Sequence, residues 1–211
     1  GLLVLFLALA SPLDALSGEL SAAHMVQHML VMNLAAPLVV LGAPAVVMLN
    51  GVPAEYRRPV GRLWQRLDPA PLRRPVVAWV VYAAALWGWH LPPLYQAALR
   101  HPAVHDLQHL TFFTAGFVFW RAVLDRPGRR LGPGVGLLFL FTTSLHATVL
   151  GVFMALAPRP WYPDYEGRTA PWGLTALEDQ QLAGLIMWMP ACLAYAAGAV
   201  GLLAAWHANE E

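Results

Sequence analysis

The chain has 211 residues, 58% of them hydrophobic and 12% charged, with nine Trp and a mean hydropathy of +0.53. Soluble domains carry about 25% charged residues, so this balance excludes an ordinary soluble domain and points to an integral membrane protein, a single helical domain over 1–211. A formal net charge of +1 gives no footing to a nucleic-acid partner, and the lone Cys192 excludes an internal disulfide and any CxxC motif.

Apolar runs punctuated by Pro, Gly and charge predict an all-α, polytopic transmembrane helix bundle of about six helices. A partial span covers about 1–12. It is shorter than the roughly 20 residues that cross a bilayer, so it reads as the tail of a truncated first helix, and the full protein is expected to have seven. Full spans follow near 22–49, 75–91, 103–124, 134–157 and 176–206. The 22–49 and 176–206 runs exceed the needed length, which tilt, a kink at Pro37 or Pro190, or an earlier end would accommodate. Pro102 suits a first helical turn, and Thr175-Ala-Leu-Glu178 has capping-box spacing. No alternating polar pattern recurs, so strands have little support.

The loops set an orientation. The segment 50–74 carries Arg57, Arg58, Arg62, Arg66, Arg73 and Arg74 against Glu55 and Asp68, and 121–132 carries Arg121, Arg126, Arg129 and Arg130. The opposite loops hold Arg100, Arg159 and Arg168 beside Asp14, Glu19, Asp164 and Glu166. The positive-inside rule makes the Arg-rich loops cytoplasmic, and Trp161, Tyr162, Tyr165 and Trp172 are expected at the outer interface.

Two quintets share the pattern H-x-x-Q-H: His24-Met-Val-Gln-His28 and His105-Asp-Leu-Gln-His109. Residues i and i+4 lie on one helix face, and imidazole is costly in hydrocarbon unless partnered, so two such pairs inside apolar runs predict metal ligands. Both pairs fall at the outer ends of their spans. His90 closes the outer end of the next span, His101 lies just outside its neighbour, and Asp179 and Glu178 begin the last helix on the same side. His146 sits about eleven residues into its span, roughly 16 Å deep at 1.5 Å per residue. His207 alone belongs to the cytoplasmic end. Imidazole suits Zn, Cu, Fe and Ni, while the thioethers of Met25 and Met29, which flank the first pair, favour Cu(I). The predicted metal residues are therefore His24, His28, His105, His109, His146, His90, His101, Asp179, Met25 and Met29.

At these residues the chain resembles a known family. His24-Met-Val-Gln-His28-Met-Leu, followed by Ala36-Pro37-Leu38 and Leu41-Gly42-Ala43-Pro44, is similar to a signature of CtaG-type cytochrome c oxidase assembly factors. The run His105 to His109 ending in Phe119-Trp120, and Asp179-Gln-Gln-Leu-Ala-Gly184-Leu-Ile-Met-Trp188, resemble that family's later motifs, so the resemblance extends from Ser11-Pro12 to Trp188. It implies a multi-span protein of the bacterial cytoplasmic membrane, usually with about seven helices, that helps to mature a haem-copper oxidase through copper insertion.

Three functions compete on the sequence. The first is a non-catalytic factor in which copper, with zinc or iron as alternatives, is held by His24, His28, His105 and His109 and passed to a haem-copper oxidase subunit in the lipid bilayer. His90, His101, His146 and Asp179 would then be further ligands or an access route. The second is a membrane metallohydrolase or di-iron oxygenase, with Asp179 or Glu178 as general base and Ser144 beside His146. The third is a haem b electron carrier with one axial His from each pair.

Overall fold

The computed structural model describes residues 1–67, 72, 74–124 and 132–208, and every regular element among them is helical. In chain order these are α1 (Leu2–Leu9), α2 (Pro12–Ser17), α3 (Ser21–Leu41), α4 (Pro44–Gly51), α5 (Ala54–Leu67), α6 (Pro75–Trp89), α7 (Pro92–Arg100), α8 (Pro102–Leu124), α9 (Pro133–Ala155) and α10 (Ala176–His207). Two 3₁₀ turns, Pro163–Tyr165 and Ala170–Trp172, lie between α9 and α10. Pro opens α2, α6, α7 and α8, where its missing N–H is one that a helix start leaves unpaired in any case. The chain thus forms the all-α bundle that its apolar runs predict.

Among the described residues three helices are long and apolar enough to cross a membrane: α3, α9 from Gly134, and α10. The expected span at 75–91 is the 15-residue apolar helix α6. The expected span at 103–124 is the 23-residue α8, whose first turns carry His105, Asp106, Gln108 and His109 and dilute its hydropathy. The run 22–49 is not one span. It stops at Gly42 because Ala43 adopts φ 45°, ψ 58° ahead of Pro44, and a left-handed residue cannot continue the helix. Segment 50–74, expected as a loop, contains α5, an amphipathic helix carrying Arg57, Arg58, Arg62 and Arg66. Helix α7, in the stretch between two expected spans, is amphipathic as well. Of the charges that set the orientation, Asp68, Arg73, Arg126, Arg129 and Arg130 lie outside the described residues.

Helix α3 is the hub. It packs against α10 on one side and α8 on another, with α1 and α2 beside it, while α8 also carries α6 and α7. Its N-terminus lacks a cap of its own, since Leu20 has no side-chain acceptor. Asp179 of α10 supplies one: its carboxylate accepts the N–H groups of Ser21 at 2.6 Å and Ala22 at 3.1 Å. Two of the four N–H groups that a helix start leaves unpaired are thereby satisfied, and negative charge is placed at the positive end of the helix dipole.

Lower down, α3 widens into a π-segment over Leu30–Ala35. Pro37 causes it, because a proline ring clashes with the carbonyl one turn back and offers no N–H. The Ala36 N–H goes to Val31 instead, which leaves the Met32 carbonyl without a backbone donor. The Trp120 indole of α8 donates to that carbonyl at 3.0 Å. Close by, a Cβ on Gly116 would lie 3.2 Å from the same oxygen, so a side chain here would push the two helices apart by a few tenths of an ångström. The π-bulge thus locks α3 to α8, the two helices that carry the histidine pairs.

Helices α9 and α10 cross at two glycines. A Cβ on Gly184 would fall 2.5 Å from the Gly151 carbonyl, and one on Gly151 would fall 2.8 Å from the Gly184 carbonyl. Small residues at a crossing permit the close backbone contact on which helix association in lipid depends. Cys192 faces Ser144 and Thr148 at 3.7 Å from each hydroxyl, as a small packing residue.

Candidate metal centre

The two H-x-x-Q-H pairs meet. His24 and His28 lie one turn apart on α3 with ring centroids 4.3 Å apart, and His105 and His109 repeat that 4.3 Å spacing on α8. Across the interface His24 is 5.0 Å from His105 and 5.9 Å from His109, and His28 is 5.5 Å from His109. His24, His28 and His109 are buried and offer ring nitrogens that all lie within 4.8 Å of one another. His105 is half-buried at the edge of the group.

The two glutamines of the motifs have different duties. Gln108 Oε1 lies 3.1 Å from His24 Nε2. An amide oxygen only accepts, so Nε2 carries the ring proton and Nδ1 is left with its lone pair. Gln27 turns the other way and donates to the Ala8 carbonyl at 2.8 Å and to Asp14 Oδ1 at 2.9 Å, which ties α3 to α1 and α2.

Five buried ring nitrogens in this group have no hydrogen-bond partner: His24 Nδ1, both nitrogens of His28, His105 Nε2 and His109 Nε2. An unsatisfied buried polar atom costs about 1–3 kcal/mol, so the set weighs against a domain's net stability of about 5–15 kcal/mol. His28 is the extreme case, fully buried with neither nitrogen bonded. Lone pairs converging in a dry site are what a metal ion requires. Tetrahedral ligand nitrogens at metal–nitrogen bonds of about 2.0 Å sit about 3.3 Å apart, so small side-chain rotations would bring these donors onto one ion. The donor set fits a borderline or soft cation.

Aromatic rings wall the group in. Tyr95 of α7 packs 4.9 Å from His24, Phe112 packs 4.5 Å from His28, and Tyr162 stacks on Tyr95 at 3.7 Å. The Tyr165 hydroxyl donates to the Ser17 carbonyl at 2.9 Å, and Arg168 donates to the Gly18 carbonyl at 2.8 Å. Burial pushes the phenols of Tyr162 and Tyr165 up, so both keep the protons they donate. The expected outer aromatic belt is corrected here. Tyr162 and Tyr165 are each 1% exposed and pack around Tyr95 inside the protein, whereas Trp172 is exposed and Trp161 half-buried. Sequence reading missed Tyr95, Tyr162 and Tyr165 as site residues, because a tyrosine far along the chain, on a short helix or in a loop, gives no sign of what it covers.

The remaining predicted site residues scatter. His90 is buried 5.8 Å from His28 and faces Met25. The Met29 sulfur accepts from the Asn33 amide at 3.3 Å. Asp179 is occupied in capping α3. His101 is exposed and is in ring contact with none of the clustered histidines. His146 stands apart beside Trp79 and Tyr82, at 5.6 and 6.4 Å, with neither ring nitrogen bonded. His207, which is not among the predicted ligands, stacks on Trp206 at the far end of α10. A cleft of about 250 Å³ opens beside His109, lined by Leu5, Leu9, Asp14, Asp106, Leu110 and Phe113.

Comparisons with known proteins agree with the motifs. Curated relatives include the uncharacterized proteins Mb0105 of Mycobacterium bovis and MT0111 of Mycobacterium tuberculosis, each 27% identical over 95% of this chain and 32% of the relative. The uncharacterized protein ML1998 of Mycobacterium leprae is 24% identical over 100% of the chain and 34% of its own length. The chain therefore spans about a third of the curated relatives it matches. No solved structure matches. The model of one family covers residues 1–209, and with the paired histidine motifs in place the chain belongs to the cytochrome c oxidase caa3 assembly factor (Caa3_CtaG) family.

Proposed function

We propose that this chain holds copper as cargo, on His24, His28, His105 and His109, for delivery to a haem-copper oxidase subunit during its maturation. The observation that carries the reading is His28, buried with two unbonded nitrogens among three other imidazoles. The cleft beside His109, with Asp14 and Asp106 at its sides, supports a cation route to the cluster. Exchangeable imidazoles near a helix end suit an ion that must leave again. Family membership supports oxidase assembly as the purpose.

In this reading the cluster faces the extracytoplasmic side of the bacterial cytoplasmic membrane. Two observations support this. Helix α5, with its four arginines, follows the opposite end of α3 from His24. The arginines near the cluster are engaged: Arg100 pairs with Asp164 at 2.6 Å and Arg168 bonds the Gly18 carbonyl.

The enzymatic alternative has less support. Asp179 caps α3, and one oxygen of Glu178 accepts the N–H and hydroxyl of Thr175, so both acids already serve helix starts. A haem reading meets Tyr95 and Phe112 packed directly on His24 and His28, where a porphyrin would need space. The test is metal content of purified protein. Wild type should bind copper stoichiometrically, and the double variant His24→Ala/His28→Ala should lose the equivalent that the four imidazoles hold. Unchanged stoichiometry in that variant would overturn the assignment.

A further inference from the structure

His90 is the C-terminal cap of α6, and it is fixed from two directions. Its carbonyl accepts the Tyr162 hydroxyl at 2.9 Å, and its Nδ1 lies 2.6 Å from the Leu86 carbonyl oxygen. A carbonyl has no proton to give, so Nδ1 holds the single N–H of a neutral imidazole and Nε2 is a bare lone pair. That lone pair faces the Met25 sulfur at 3.4 Å. A thioether is an acceptor too. Two acceptors thus confront each other with no proton between them, where His90 is 2% exposed and Met25 is 0% exposed. An N–H···S bond would require a second ring proton, and hence a buried charge next to other imidazoles.

We propose that His90 Nε2 and Met25 Sδ form a soft two-donor position for Cu(I), adjoining the four-imidazole cluster and distinct from it. Metal–nitrogen and metal–sulfur bonds of about 2.0 and 2.3 Å put the two donor atoms about 3.5 Å apart at a tetrahedral angle and about 4.3 Å apart in a line, so the 3.4 Å found here suits an ion that takes a further ligand beside this pair. Sulfur selects for the monovalent ion, since thioethers bind Cu(I) and leave Zn(II) to harder donors. His28 lies one ring away at 5.8 Å, and Phe112 packs beside both imidazoles, so the ion could pass between the two positions by ligand exchange inside a dry wall. No change of oxidation state is involved. The proposal rests on the reading of this chain as a metal handler, but not on the four-imidazole cluster being occupied.

The experiment is X-ray absorption at the copper edge on purified protein loaded anaerobically with Cu(I), with Co(II) titration of the same samples as a probe of the imidazole cluster. A sulfur neighbour at about 2.3 Å is expected in wild type. Met25→Leu, a volume-conserving exchange that cores tolerate, should remove that sulfur and weaken Cu(I) by about 10-fold or more while leaving Co(II) binding intact. His90→Ala should weaken Cu(I) in the same way. Sulfur retained with unchanged affinity in Met25→Leu overturns the pairing, even where His28→Ala abolishes Co(II) binding and so upholds the cluster. A sulfur signal lost in Met25→Leu, in protein that binds no Co(II), upholds the pairing and overturns the cluster instead. Should Met25→Leu fail to fold, a wild-type spectrum without sulfur overturns the proposal, and unchanged Cu(I) affinity in His90→Ala does the same.

Discussion

Gln108, in the second H-x-x-Q-H motif, hydrogen-bonds His24, in the first: Oε1 and Nε2 are 3.1 Å apart across the α3–α8 interface. The glutamine of one motif therefore sets the tautomer of the other, and His24 Nδ1 is left to face its neighbours.

Replacing Gln108 with Leu should release that constraint. Removing a partner that orients a metal-bound imidazole typically costs 10–100-fold in metal affinity, and the unpaired His24 Nε2–H should cost about 1–3 kcal/mol of stability. Gln108→Glu restores an acceptor and should recover most of the affinity. Competition titration with Co(II) measures the first effect and thermal unfolding the second. Equal affinities for wild type and Gln108→Leu would refute the orienting role.

Asp179 provides a test that separates capping from ligation. Charge-assisted hydrogen bonds to backbone N–H groups are worth about 1.5–3 kcal/mol each, and Asp179 makes two to the start of α3. Asp179→Ala should lower stability by a few kcal/mol, with Asp179→Asn losing less because one acceptor remains. Metal stoichiometry in Asp179→Asn should match wild type. A missing equivalent of metal in a folded Asp179→Asn protein would make this residue a ligand after all.

The glycine crossing of α9 and α10 predicts a steric effect. A Cβ on Gly184 would press on the Gly151 carbonyl and the Ala155 backbone nitrogen, neither of which can swing aside. Gly184→Val should force the helices apart and destabilise by about 1–3 kcal/mol, as overpacking does. Gly201, whose Cβ would meet nothing within 4 Å, is the control: Gly201→Ala should be neutral or slightly stabilising. Thermal unfolding in detergent compares the pair.

The exposed pair Arg100–Asp164 ties α7 to the turn that carries Tyr162 and Tyr165. Hydrogen bonding from Arg100 holds the Asp164 carboxyl below the usual carboxylate range. A depressed carboxyl contributes order that is fully present above its unfolded value and is lost as pH falls through the folded one. Protection factors across 161–168, taken against the intrinsic exchange rate at each pH, should therefore fall on acidification, and less so at high salt, where an exposed pair is already screened. Asp164→Asn should show the low protection at every pH. The same acid response in Asp164→Asn would assign it to another group.

How much was legible in the sequence differs by residue. The i,i+4 pairs could be read directly, since 3.6 residues per turn put His24 over His28 and His105 over His109 on any helix. The capping box at Thr175 was legible for the same local reason, and it forms as expected. The end of α3 at Ala43 was harder to see. Apolar residues continue beyond it, and only the backbone turn before Pro44 separates α3 from α4. Tyr162 and Tyr165 were misplaced because an aromatic ring suits a lipid interface and a buried lid equally well on composition.

By itself the sequence determined the class and the local geometry: apolar helices, where most of them start, and two imidazole pairs each aligned on one face. These follow from hydropathy and helical period, which act over a few residues. Tertiary structure alone decided that the two pairs converge, that Gln108 serves His24 while Gln27 serves Ala8 and Asp14, and that Asp179 caps a helix 158 residues away. It also decided that Met25 and His90 face each other across 65 residues. Such contacts depend on how the helices pack. Here that is set by the bulge that Pro37 forces on α3 and by Gly116, at which α8 closes on it.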